Sequence, residues 1–287
     1  MAGTSPPVMK VTIALGEGKG EDCGLSCIFA HSAIFSVMSF TLSALLFGLT
    51  SALFFGMSKT GVPGIGILGV LVMMLAFPGE EKLSSGAVLP LLIVADLFAV
   101  RYYWKFADWK RIRQLLPAVI GGLFLGTFFM LAIDHHQFKI FLAVLILTLV
   151  SFEQVRRWQN WNAFPQSRWF AWLMGSLSGF TTLVGNAAGP VMTVYCAALN
   201  FKKHDFMGTF AVFFCIVNIS KLPLMGGAVP GLKLITAETL WFNVLILPGL
   251  LLGVLLGRKL FGLIPERYFV PCIMILNLLV PIQIILF

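Results

Sequence analysis

The stretch Phe55–Gly66, FGMSKTGVPGIG, decides how the rest of the chain is interpreted. It lies inside a hydrophobic region, yet it carries a lysine, two hydroxyl side chains, a proline and three glycines between Ser58 and Gly66. Irregular backbone at the depth of a bilayer core is tolerated only where protein buries it or where it lines a wet cavity. A helix broken in this way is a sequence marker of a transporter's binding site.

The composition is that of a chain that lies almost entirely in a membrane. Of its 287 residues, 59% are hydrophobic and 11% are charged, whereas a soluble domain carries about 25% charged residues. The net charge is +8. The basic residues sit between apolar segments, as the positive-inside rule predicts, and form no surface for nucleic acid. We therefore expect an all-α polytopic membrane protein with one integral membrane domain.

Ten apolar segments are expected to enter or cross the bilayer. A full span takes about 20 residues. The two short segments, Gly64–Phe77 and Val191–Leu199, are therefore either crossings or re-entrant hairpins. Basic loops follow the third, fifth, seventh and ninth segments, which places these loops in the cytoplasm and both termini outside. Phe77–Gly86 is expected to be a turn. The segments are Cys27–Gly56, Gly64–Phe77, Ala87–Trp104, Leu115–Ile133, Phe138–Phe152, Trp169–Thr182, Val191–Leu199, Phe206–Met225, Leu240–Leu256 and Tyr268–Phe287.

The chain divides into two repeats of about five segments each. We predict a polar tail over residues 1–26, a first membrane repeat over 27–155, a basic cytoplasmic linker over 156–168 and a second membrane repeat over 169–287. Cys23 and Cys27 lie close together near the end of the tail. One such pair leaves both a metal site and a disulfide open.

The two halves match each other in sequence. Five segments per half is an odd number, so the second copy is expected to insert upside down, and substrate sites in such inverted repeats lie near the midplane. A shift of 122 positions places Lys59, Thr60, Gly86 and Asp96 on Thr181, Thr182, Gly208 and Asn218, and a shift of 131 places Pro117, Gly122 and Gly126 on Pro248, Gly253 and Gly257.

A second break, Leu183–Pro190 with the sequence LVGNAAGP, occupies the matching place in the second half. A helix that restarts after a break exposes N–H groups and the positive end of its dipole, which together attract anions. We expect restarts at Gly64 and Gly189. The glycines at positions 122, 126, 253 and 257 are instead expected to serve helix packing. The candidate substrate-binding residues are Ser58, Lys59, Thr60, Gly61, Gly64, Thr181, Thr182, Gly185, Asn186 and Gly189.

Three ionisable residues, Lys59, Asp96 and Lys221, lie deepest in the apolar spans, where such residues are costly. Asp96 is expected to pair with Lys59, Arg101 or Lys221 in preference to carrying a proton. Lys221 either lines the pathway or extends to the interface. Asp96, Asn218 and Lys221 are the candidates for gating or coupling. A metal site is not expected at the other polar cluster, Asp134, His135 and His136, because so short a turn cannot supply three or four convergent ligands.

Three pieces of the chain carry a family resemblance: Val88–Thr127, Gly175–Tyr195 and Gly208–Leu222. With the five-plus-five repeat, they resemble the sulfite exporter TauE/SafE family, also described as the toluene sulfonate uptake permease group. The resemblance implies a multi-pass plasma-membrane carrier for small anions such as sulfite, sulfonates or sulfoacetate. The family often has a run of glycines at the first break, where this chain has SKTGVPGIG.

The sequence therefore favours a secondary transporter, in the direction of export, that works by alternating access around an anion site at the midplane. Its expected partners are the anion, a coupling ion (proton or sodium) and the bilayer, and a homodimer is left open. The chain has no nucleophile–base pair or phosphate loop, so we expect neither an enzyme nor a cofactor. The alternatives are a cation or metal carrier that uses Asp96 and a membrane scaffold without transport.

Overall fold

The computed structural model describes residues 40–134 and 167–269, together with isolated positions between 136 and 155. The expectations for the tail over 1–26, for Cys23, Cys27 and His135, and for most of the linker lie outside these residues. Every regular element in the described part is helical, and no strand occurs there. The prediction of an all-α fold is confirmed for this part of the chain.

The described helices follow the predicted order of segments. Five helical stretches are long and apolar enough to cross a membrane: Leu42–Thr60, Lys82–Phe106, Trp109–Ala132, Lys203–Ala228 and Ala237–Leu263. The helices are α1 (Leu42–Thr60), α2 (Gly66–Ala76), α3 (Glu81–Ala87), α4 (Leu89–Tyr103), α5 (Trp109–Ala132), α6 (Arg168–Gly185), α7 (Gly189–Ala198), α8 (Lys203–Pro223) and α9 (Ala237–Leu263).

Several boundaries differ from the prediction, three of them near the first break. Helix α1 continues to Thr60, beyond the expected end at Gly56, because no glycine or proline lies between Gly56 and Gly61, whose N–H still bonds to the carbonyl of Met57. The expected turn at Phe77–Gly86 is largely helical, since α3 begins at Glu81. The irregular part of the first break is therefore confined to the residues between Thr60 and Gly66.

Helix α1 packs along α9, and α5 packs along α6, with glycine at the closest approaches. A Cβ atom added to Gly56 would lie 2.3 Å from the carbonyl oxygen of Leu250, and one added to Gly253 would lie 2.2 Å from that of Leu53. At the other interface, a Cβ atom on Gly122 would lie 2.1 Å from the carbonyl oxygen of Ser176. These distances confirm the packing role expected for the glycines of α5 and α9.

The two halves contact each other reciprocally. Asp96 of α4 accepts a hydrogen bond of 2.6 Å from Asn218 of α8, the residue that the 122-residue shift places on it. Gly86, before α4, packs against Leu234 after α8, while Gly208 of α8 packs against the backbone of Phe106 after α4. Such exchanged contacts are expected if a pseudo-twofold axis relates the halves. The inversion of the second half stays a prediction.

A buried lysine closes the end of α9. The ammonium of Lys203 donates to the carbonyl of Phe261 and, at 2.7 Å, to that of Ile264, and it lies 4.0 Å from the centre of the Phe261 ring. Lys82 similarly donates to the carbonyl of Ile133 after α5, at 2.9 Å. Ile133 and Ile264 are separated by the 131-residue shift of the repeat. In each half, therefore, a lysine ammonium donates to the carbonyl that follows the last long helix of the described residues.

Lys203→Met is expected to lower the free energy of unfolding by about 1.5 kcal/mol, because hydrogen bonds to charged groups contribute about 1.5–3 kcal/mol and Lys203 sits near an interface. The matched control is Lys202→Met, since Lys202 is the exposed neighbour and its loss should change stability by less than about 0.5 kcal/mol. Denaturant titration of both variants in detergent micelles measures the difference. Equal losses of stability in the two variants would show that Lys203 does not stabilise the end of α9.

Candidate functional site

The two breaks meet at a cavity between the helices. It encloses about 30 Å³, and a single water needs roughly 10–15 Å³ on this measure. The first break contributes Ser58, Lys59, Pro63, Gly64 and Gly66, and the second contributes Thr182, Asn186, Gly189 and Pro190. The remaining lining residues are Phe55, Ile67, Leu92, Phe210, Phe214 and Asn218. The space therefore suits a small polar species held against an apolar wall.

Six of the ten candidate substrate-binding residues line this cavity, and four do not. Thr60 turns away, because its hydroxyl donates to the carbonyls of Gly56 and Val254, both at 2.9 Å. Thr181 likewise donates back to the carbonyl of Leu177 at 2.7 Å. The residues at the cavity are Ser58, Lys59, Gly64, Thr182, Asn186 and Gly189, and those absent from its lining are Thr60, Gly61, Thr181 and Gly185.

Helix geometry explains this division. Residues three or four apart on a helix share a face. Ser58 and Lys59 have this spacing from Phe55, which also lines the cavity. Thr60 has it from Gly56 and Met57, on the side of α1 that packs against α9. Gly61 serves packing instead, since a Cβ atom there would lie 1.9 Å from the carbonyl oxygen of Gly257. Tyr103 fixes the end of the helix, because its hydroxyl donates to the carbonyl of Thr60 at 2.7 Å.

Lys59 is the charged group at the cavity wall. Its ammonium lies 2.8 Å from the Asp96 carboxylate and 4.2 Å from the centre of the Phe214 ring. Asp96 is fully buried, and Lys59 is 7% exposed. Of the three partners considered for Asp96, Lys59 forms the ion pair, while Arg101 is exposed to the surroundings. The second carboxylate oxygen is held by Asn218.

Lys221 organises the second break. It is completely buried, and its ammonium donates to the carbonyl of Thr182 at 3.0 Å, to the hydroxyl of Thr182 at 3.2 Å and to Oδ1 of Asn186 at 2.6 Å. The interpretation that Lys221 extends to the interface is therefore wrong. Asn186 has φ of 52°, a left-handed conformation that asparagine tolerates better than most residues, and its amide nitrogen donates to the carbonyl of Ser85 at 2.9 Å.

Both short helices that follow the breaks point their starts at the cavity. Helix α2 begins at Gly66 and α7 at Gly189, and both glycines line the space. The restart predicted at Gly64 is therefore two residues too early, because Gly64 lies in the turn before α2. Neither of these two described starts is capped by a side chain. The positive ends of two helix dipoles therefore lie at the same cavity as the ammonium of Lys59.

Sequence reasoning missed the aromatic wall and the support from α3. Phe210, Phe214 and Asn218 are spaced four residues apart on α8, and all three line the cavity. That spacing places them on one face of a helix and could have identified the wall. Ser85 gave no comparable signal, because it lies in a stretch that was expected to be a turn.

No metal centre is found in the described residues. They contain no group of three or more histidine, cysteine, aspartate or glutamate side chains that could hold a metal ion. His136, which falls within them, is exposed. Cys196 and Cys215 lie within helices α7 and α8 and are not disulfide-bonded.

The fold defines a class: an all-α polytopic membrane protein, here with a cavity where two broken helices meet. Residues 35–284 match the model of the family described as Sulfite exporter TauE/SafE, and the chain belongs to that family. This is a family of membrane transporters, so the predicted membership and the prediction of a transporter class are confirmed. No curated protein and no solved structure gives a significant match to the chain.

Proposed function

We propose that this chain is a secondary transporter that exports small sulfur-containing or organic anions, such as sulfite, sulfonates or sulfoacetate. The observation that supports the proposal most is the placement of Lys59 and two uncapped helix starts around one cavity. Cationic groups and helix N-termini that converge on one cavity are an arrangement that stabilises a bound anion. Lys59, Ser58, Thr182 and Asn186 would contact the substrate.

Alternating access would rock one half of the chain against the other around this cavity. Asn218 lines the cavity, and Asp96 and Lys221 lie behind its wall. These three residues would hold the charged groups in place or exchange hydrogen-bond partners during the transition. The protein would reside in the plasma membrane with both termini outside. A proton or sodium ion would drive it, and a homodimer is compatible with it.

The contacts of Asp96 favour an anion over a cation or metal as substrate. One of its oxygens faces the Lys59 ammonium at 2.8 Å and the other accepts from Asn218 at 2.6 Å. A cation carrier would need that carboxylate, or several like it, turned toward the cargo. A scaffold without transport would not need a cavity formed by two breaks.

Sulfite, methanesulfonate and acetate are expected to raise the melting temperature of the purified protein, with chloride as the reference salt. A ligand that binds only the folded state stabilises it by mass action, by about 2.7 kcal/mol at a concentration of 100 Kd. Lys59→Gln should weaken the response at least tenfold, because it removes the cation from the cavity wall. A thermal-shift titration measures both effects.

The matched control is Lys110→Gln, since Lys110 is exposed at the start of α5, far from the cavity lining. Its anion response should equal that of the wild type. If no oxyanion stabilises the wild-type protein, the proposal is wrong. If Lys59→Gln binds anions as tightly as the wild type, Lys59 does not belong to the site.

A further inference from the structure

We infer that the transported species carries a single negative charge, because the buried groups around the cavity leave one positive charge without a partner. This inference rests on the proposed function and narrows its substrate class. Sulfite, sulfonates and sulfoacetate differ in charge: hydrogensulfite and simple sulfonates are monoanions, whereas fully ionised sulfite, sulfoacetate and sulfate are dianions. The charge of the site distinguishes between these two groups.

Four charged side chains are buried in the described part of the chain: Lys59, Asp96, Lys203 and Lys221. Lys203 does not belong to the cavity, because it binds carbonyls at the end of α9. It also lies 18 residues before Lys221 on the same helix, a distance of about 27 Å along the axis. Two lysines and one aspartate therefore set the charge at the site.

The contacts of Lys221 and Asp96 match their ionised forms. Three acceptor atoms surround the Lys221 nitrogen, which matches the three N–H groups of an ammonium. The Oδ1 atom of Asn186 must be an acceptor, since its amide nitrogen already donates to the carbonyl of Ser85. Asp96 forms an ion pair with Lys59 at 2.8 Å and accepts a hydrogen bond from Asn218 at 2.6 Å, as a carboxylate does.

Asp96 neutralises only one of the two lysines. It pairs with Lys59 at 2.8 Å, while Lys221 has three neutral partners, two of them on Thr182 and one on Asn186. Both of these partner residues line the cavity. The uncompensated charge of Lys221 is therefore in direct contact with residues of the cavity wall. An unpaired buried charge is costly. A monoanion in the cavity would balance the net charge of these three side chains, whereas a dianion would exceed it.

The test compares methanesulfonate, a permanent monoanion, with sulfate, a permanent dianion of the same central element. Dissociation constants are measured by thermal shift on the full-length protein at one pH in sodium-free buffer. The wild type should bind methanesulfonate at least tenfold more tightly than sulfate. Asp96→Asn keeps an oxygen that accepts from Asn218, but it removes one negative charge and so raises the net charge of the site by one. This variant should therefore reverse the preference and bind sulfate more tightly than methanesulfonate.

Lys221→Gln provides a second and independent readout, because it lowers the charge of the site and should weaken the binding of both anions at least tenfold. The control is Glu238→Gln, an exposed carboxylate in the first turn of α9, which should leave both constants unchanged. Equal binding of the two anions by the wild type, or an unchanged preference in Asp96→Asn, would overturn the inference alone. Binding of neither anion would overturn the proposed function as well.

Discussion

Asp96→Ala is expected to lower the free energy of unfolding by about 3–5 kcal/mol, the cost of breaking a buried ion pair by removing one partner. The substitution leaves the Lys59 ammonium, which is 7% exposed, without its counter-ion. It also leaves the amide of Asn218 without its acceptor. Denaturant titration in detergent micelles, followed by helical circular dichroism, measures the loss.

Glu238→Ala is the matched control for this experiment, because Glu238 is an exposed carboxylate on α9 and should cost no more than about 0.5 kcal/mol. A loss below about 1 kcal/mol in Asp96→Ala would contradict the account. It would mean that Lys59 is not held by Asp96 in the folded protein.

Gly122→Ala is expected to destabilise the fold by about 3 kcal/mol, at the upper end of the cost of overpacking. The added Cβ atom would lie 2.1 Å from the carbonyl oxygen of Ser176 and 2.8 Å from the backbone nitrogen of Phe180. These are backbone atoms of α6, so rotation of a side chain cannot relieve the clash. The two helices would have to separate.

The neighbouring glycine supplies the control for this second experiment. A Cβ atom on Gly121 would meet nothing within 4 Å, and alanine in a helix is about 0.8–1.0 kcal/mol more favourable than glycine. Gly121→Ala should therefore be neutral or stabilising. Melting temperatures of the two variants in the same detergent decide the matter, and equal values would contradict the described packing of α5 on α6.

The two breaks and the buried ion pair could be predicted from the sequence, because helix-breaking and charged residues are unusual within the apolar segments of a membrane protein. Proline and glycine in an apolar span indicate irregular backbone, and a carboxylate in a span demands a partner. The closest helix approaches could also be predicted, because the glycines of α5 and α9 recur at the same spacing. Each of these features depends on the type of a residue rather than on its orientation.

The direction in which side chains point from the helices was harder to predict. Helix α1 ends at Thr60 rather than at Gly56, and a difference of four residues decides which side chains reach the cavity. Lys59 does so, whereas the hydroxyl of Thr60 bonds to the backbone of α9. Sequence spacing alone could not separate these neighbours, because the end of the helix had first to be located.

One of the two interpretations left open for Lys221 is wrong for a related reason. Its place near the expected end of the span suggested that its side chain could reach the interface. The side chain is instead fully buried, and its ammonium donates to Thr182 and Asn186. These partners lie 35 to 39 residues away in the sequence, so the residues around Lys221 could not decide between the two interpretations.

The central claim is that the cavity between the two breaks carries small anions across the membrane. Counterflow tests it most directly: proteoliposomes are loaded with unlabelled methanesulfonate and the uptake of the labelled anion from outside is followed. We predict a transient accumulation with the wild-type protein, with Lys59→Gln reducing its initial rate at least tenfold and Lys110→Gln leaving it unchanged. Uptake no faster than in protein-free liposomes, for methanesulfonate and for sulfite alike, would contradict the claim.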